Sequence, residues 1–110
     1  MSHLFVSLMA KRVTRAAPEL TKVLFENDRV RIIELNVKKG SKAEMHTHPA
    51  YFSYSITPLA YKSTSPEGRT KVHKTKAGHV EWSDGESHAV EFTNTARALV
   101  VELKRGVKNG

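Results

Sequence analysis

The sequence predicts a single all-β domain, closed as a sandwich or small barrel. Three observations carry that expectation. Apolar and polar residues alternate in short runs from Val23 onward, turn-forming residues interrupt the runs at close intervals, and no long stretch keeps a helical period. At 110 residues the chain has room for one modest core and not for two.

Residues 1–22 read as an N-terminal arm or strand, 23–104 as the barrel and 105–110 as a tail. The apolar run Leu4–Ala10 has no basic residue before it and is too short to cross a bilayer, so neither a secretory signal nor a membrane segment is expected. With Lys11, Arg12 and Arg15 and no acid before Glu19, an organellar presequence stays as a minor alternative to a segment that packs on the domain or on a neighbouring subunit.

KVLFENDRVRIIELNVKKG gives two strands around an Asn27-Asp28 turn. The second places Ile33, Leu35 and Val37 on one face, with Arg31 beyond the apolar set, and Gly40 closes it. KAEMHTH is the next strand. In YFSYSI, Phe52, Tyr54 and Ile56 share one face and Ser53 and Ser55 the other, so the aromatic face is expected inside. SPEGR, Ala77-Gly78 and SDGES mark three further turns. ESHAVEF alternates His88, Val90 and Phe92 against Ala89 and Glu91, and ARALVVELK is a last apolar strand.

The chain has no cysteine, which removes disulfides, thiolate metal sites and cysteine nucleophiles and suits a reducing cytoplasm. Any metal must be held by nitrogen and oxygen. Eighteen Lys and Arg against eleven Asp and Glu give a net charge of +7. The basic residues, among them Lys38, Lys39, Lys42, Lys71, Lys74 and Lys76, fall mostly at strand ends and turns rather than in one stripe, so a solvated surface is expected and a nucleic-acid partner is not.

Two of the six histidines, His46 and His48, stand one residue apart in a strand and so share a face. Two buried imidazoles without a common ligand are costly to desolvate. By alternation His88 faces the same apolar side as Val90 and Phe92, and it meets the pair only if the two strands are neighbours. Taken alone, His88 reads as an ordinary core histidine, and His3, His73 and His79 as surface residues. Glu44 shares strand parity with the HxH pair and is a candidate extra ligand. Tyr54, Tyr61 and Trp82 are either core or cavity lining.

GSKAEMHTH, a glycine and five residues before HxH, resembles the first cupin motif, and GHVEWSDGESHAVEF, with Gly85 two residues before His88, is similar to the second. The likeness covers about Val23 to Lys104 and resembles small single-domain cupins. It implies a cupin-type jelly-roll β-barrel in which His46, His48 and His88 bind one divalent metal, whether iron, nickel, manganese, copper or zinc. The glutamate that cupins usually carry four or five positions after the second histidine is replaced here by Phe52 and Ser53. Phe52 is expected inward beside the metal, with Glu44, Tyr54, Trp82 and Phe92 as further pocket residues. The resemblance implies a metal-dependent dioxygenase acting on a small anionic or chelating substrate, or else a binding module without chemistry, and a homodimer with Leu4–Met9 at or near the interface.

Overall fold

The computed structural model describes residues 11–104, and the apolar run Leu4–Met9 and His3 lie outside them. Ten strands and one four-residue helix form two five-stranded sheets. The strands are β1 (Lys11–Arg12), β2 (Thr21–Glu26), β3 (Val30–Val37), β4 (Lys42–His48), β5 (Tyr51–Ser55), β6 (Leu59–Thr64), β7 (Thr70–Thr75), β8 (Val80–Ser83), β9 (Glu86–Phe92) and β10 (Ala96–Leu103). The helix α1 spans Val13–Ala16. The sheets run β1-β4-β9-β6-β7 and β2-β3-β10-β5-β8, antiparallel except where β1 lies parallel to β4, and they close as an all-β jelly roll. Among the described residues no helix is long and apolar enough to cross a membrane.

The turns fall where the sequence places them. Asn27 accepts the Arg29 and Val30 amides on its side-chain oxygen and closes the β2–β3 turn. Residues 11–22, part of the expected N-terminal arm or strand, pack on the barrel: β1 extends the first sheet, Val13 and Ala17 are buried, and Thr21 and Lys22 belong to β2. Gly85 opens β9 at φ +112°, a conformation that L side chains rarely adopt, and a Cβ there would stand 3.2 Å from the His48 carbonyl oxygen. A glycine is required for the two strands carrying the histidines to meet this closely.

The core lies between the sheets. Ile33, Val37, Ala43, Val90, Phe92, Ala98 and Val100 are buried, which fits the alternation of β3, β9 and β10. The expected face of β5 is reversed. Its register with β10 sets Tyr51, Ser53 and Ser55 against the inward Glu102, Val100 and Ala98, so Phe52 and Tyr54 point out. Burial of Ser55 is offset by a 2.8 Å hydrogen bond to Thr75. The outward residues build an apolar face across the second sheet: Phe25, Ile32, Val101, Phe52 and Trp82 form one cross-strand row, and Leu99, Tyr54 and Val80 continue the next. Hydrophobicity misassigned β5 because this sheet is apolar on both faces.

Candidate metal centre

β4 and β9 are neighbours, and their register sets His46 directly opposite His88 and His48 opposite Glu86. All three histidines are buried, and one ring nitrogen of each lies within 4.8 Å of the others. The rings meet edge to face, with centroids 4.7 to 5.4 Å apart. Nitrogens sharing one metal at about 2.1 Å would stand about 3.0 to 3.5 Å apart, so the three rings would hold an ion after closing by about an ångström or less.

Two of the three Nδ1 atoms have a hydrogen-bond partner. His46 Nδ1 donates to the Glu44 carbonyl oxygen at 2.7 Å, and His48 Nδ1 donates to Glu102 Oε2 at 2.8 Å. His88 Nδ1 stands 3.2 Å from Glu86 Oε2, a contact of position rather than an aligned hydrogen bond. A carbonyl and an ionised carboxylate only accept, so in His46 and His48 Nδ1 carries the proton and Nε2 is the nitrogen left for a metal. Burial, reinforced by the neighbouring imidazoles, holds His88 down at about 3, and the half-exposed Glu86 does not offset it. Burial likewise lowers His46 to about 4 against the opposing pull of the Glu44 carbonyl. Two of the three rings are therefore neutral, the form that ligates metal, across the physiological range.

Behind His48 lies an ion cluster. The Glu102 side chain is fully buried and takes hydrogen bonds from Arg12 Nη2 at 2.8 Å and from Arg31 Nη2 at 3.1 Å, besides that of His48. Burial alone raises its pKa, but the His48 and Arg12 hydrogen bonds and the Arg31 charge outweigh this and bring it to about 2. Glu86 also accepts the Tyr51 hydroxyl at 2.6 Å, and burial followed by this bond pushes the phenol well above its ordinary range.

A cavity of about 60 Å³ opens against the imidazoles. Of the residues expected to line it, Phe92 and Tyr61 do so. Phe52, Tyr54 and Trp82 belong to the outer face, and Trp82 instead donates to Asp84. Glu44 is turned out by a β-bulge between Ala43 and His46, whose extra residue shifts strand parity, and its carboxylate pairs with Lys11 at 3.7 Å. Its contribution is the carbonyl on His46. Tyr61 lines the cavity and stacks on the half-buried His73, while His79 is exposed. Glu102, Arg31, Tyr51 and Glu86 went unrecognised as site residues. Glu102 carries a sequence signal, being the charged member of the inward set Ala96, Ala98, Val100, Glu102.

No family model and no curated protein matches the sequence. Solved structures do match the fold. A cupin domain from Bordetella pertussis Tohama I has a TM-score of 0.68 at 18% identity, over 77% of this chain and 92% of that one. An RmlC-like cupin from Desulfovibrio desulfuricans has a TM-score of 0.59 at 15% identity, over 76% and 79%. Oxalate decarboxylase from Bacillus subtilis, a protein with Mn(II) centres, matches at 0.54 and 18% identity over 74% of this chain but 23% of its own length. The chain thus has the fold of a small cupin domain, with three histidines close enough that they could hold a metal ion.

Proposed function

We propose that His46, His48 and His88 hold one divalent metal through Nε2, and that the adjoining cavity receives a small anionic or chelating substrate. The observation that carries this reading is that three buried rings converge, with the Nδ1 of His46 and of His48 already engaged in hydrogen bonds. Three neutral donors suit iron, nickel, manganese, copper or zinc, leave the dipositive charge uncompensated by any direct ligand, and keep positions open. Bound iron(II) supplies the electrons that make dioxygen reactive, and the reaction class is then dioxygenation. The chain's own part is to hold His46 and His48 in one tautomer through the Glu44 carbonyl and Glu102, and to exclude water with an apolar wall. The test is metal content after metal-replete expression, then oxygen uptake by the iron-loaded protein across diketones, thiols and 2-oxo acids, with His48→Ala as control.

One observation favours a second reading, a binding module without chemistry. The tyrosines on the cavity are held protonated, Tyr61 pushed up to about 12 by burial, and Glu86 already accepts the Tyr51 hydroxyl, so among the described residues no free acid or base faces a substrate. Stoichiometric metal with no metal-dependent oxygen uptake selects this reading.

We also propose that a second copy of the chain covers the apolar outer face of the second sheet. Half-exposed Phe25, Tyr54, Val80 and Trp82 give it the aromatic centre of an interface, and charges at its rim are closed within the chain as Arg97–Glu34 and Lys104–Glu26. Lys42, Lys62, Lys71 and Lys74 belong to the opposite sheet, so joining two copies here leaves those four lysines outward, and an acidic partner is drawn elsewhere. Sedimentation is expected to give a dimer for the wild type and a monomer for Trp82→Glu. A monomeric wild type overturns the assignment.

A further inference from the structure

The cavity narrows the class of ligand, on the reading that the three histidines hold a metal. Among the described residues no lysine, arginine, aspartate or glutamate lines it. Beyond the imidazoles its wall is mainly aliphatic, from Ile33, Leu35, Leu59, Val90 and Val100, with Phe92. The nearest cations, Arg12 and Arg31, are both bound to Glu102, which does not line the cavity. A ligand therefore finds positive charge at one place only, the metal, and any second charge enters an unpaired apolar environment. A volume of about 60 Å³ admits roughly four to six atoms of water size.

We infer that the site takes a short monoanion: one metal-binding head, such as a carboxylate or enolate, on a hydrocarbon body of a few carbons. A dicarboxylate is rejected. The head meets the charge on the metal at the imidazole end, and the body replaces water along Val90, Val100 and Leu59. Thr21, Ser53, Tyr51 and Tyr61 bring hydroxyls to the wall, the Tyr51 hydroxyl already donating to Glu86, and all four are neutral, so they offer hydrogen bonds to a polar atom on the body but no counter-charge to a second ionised group.

The test uses full-length protein loaded with cobalt(II), its metal content measured first, and follows the visible spectrum of the ion during titration with acetate, propanoate, butanoate, hexanoate, oxalate and succinate. Affinity is expected to rise about fourfold per methylene from acetate to butanoate. It should drop at hexanoate, and succinate should bind at least about tenfold more weakly than butanoate. Ser53→Leu, which fills the cavity at a half-buried position, should abolish the chain-length trend while metal content is unchanged. Ala98→Val serves the same purpose if that variant does not fold. Stoichiometric metal with succinate bound as tightly as butanoate, with no dependence on chain length, or with no monocarboxylate bound at all overturns this inference and leaves the metal centre standing; oxalate, which can place both carboxylates on the metal, serves as the control for a bidentate head. Protein that holds no cobalt overturns both.

Discussion

Replacing Glu102 by glutamine keeps the shape of the side chain and removes its charge. In the wild type the buried carboxylate faces Arg31, whose side chain is 11% exposed, and Arg12, which is 44% exposed. Breaking the ion pair strands the Arg31 guanidinium in a dry environment, at a cost of about 3 to 5 kcal/mol. The solvated Arg12 adds little. The pKa of the group leads to a similar figure: a carboxyl lowered from 4.5 to about 2 contributes roughly 3 kcal/mol at neutral pH. Because the folded value is the depressed one, that contribution is complete above the unfolded pKa and is lost as pH falls through 4.5 toward 2. Urea unfolding at pH 7 is expected to show Glu102→Gln less stable by about 3 kcal/mol, and the difference should shrink to less than about half by pH 3. The amide oxygen still accepts from His48, so metal affinity falls by no more than about tenfold. The double substitution Glu102→Leu with Arg31→Met removes both charges and recovers most of the stability. It leaves His48 Nδ1 without an acceptor, so metal affinity should drop by about 10 to 100-fold despite the restored fold. Equal urea midpoints for wild type and Glu102→Gln at pH 7, or a difference unchanged at pH 3, would refute the reasoning.

Three further outcomes are expected. His88→Ala should lose stoichiometric metal, read by elemental analysis, with its far-UV spectrum unchanged; full metal retention removes His88 from the ligand set. His46 and His88 have folded pKa values of about 4 and about 3, below the ordinary 6.5, so metal-free stability should decline as pH falls from about 6.5 toward 4, because the unfolded chain takes up protons that the folded one refuses. Metal-free urea midpoints should show that decline, and midpoints level between pH 6.5 and 4 contradict it. Gly85→Ala forces a side chain into a positive-φ turn and against the His48 carbonyl, and should destabilise by about 1 to 2 kcal/mol in thermal unfolding.

The strands and the histidine face were legible because the signals behind them are local. Alternation in ESHAVEF puts His88 inward wherever β9 lies, and Asn27 and Gly85 mark turns by their own chemistry. Phe52 and Tyr54 were misplaced because alternation shows which residues share a face, not which face is inside. That was decided by the register against β10 and by a second apolar surface on the outside of the sheet. Glu44 was misplaced by one extra residue in β4, which has no signature in the sequence. The Glu102 cluster joins residues up to 90 positions apart, so its partners were hidden even though its inward parity was on view.

Two of the imidazoles are aimed by supports of different genetic character. Glu102 can be erased by a single substitution, so the orientation of His48 is open to ordinary point mutation. His46 is aimed by a main-chain carbonyl that the bulge at Glu44 turns toward it, and a carbonyl is present whatever side chain the codon specifies. It also does not titrate, so acid that protonates Glu102 leaves this support in place. Drift by substitution would therefore loosen His48 and spare His46, whereas loss of one codon between Ala43 and His46 would restore a regular ladder, keep every histidine facing inward, and take away the one support that no point mutation reaches.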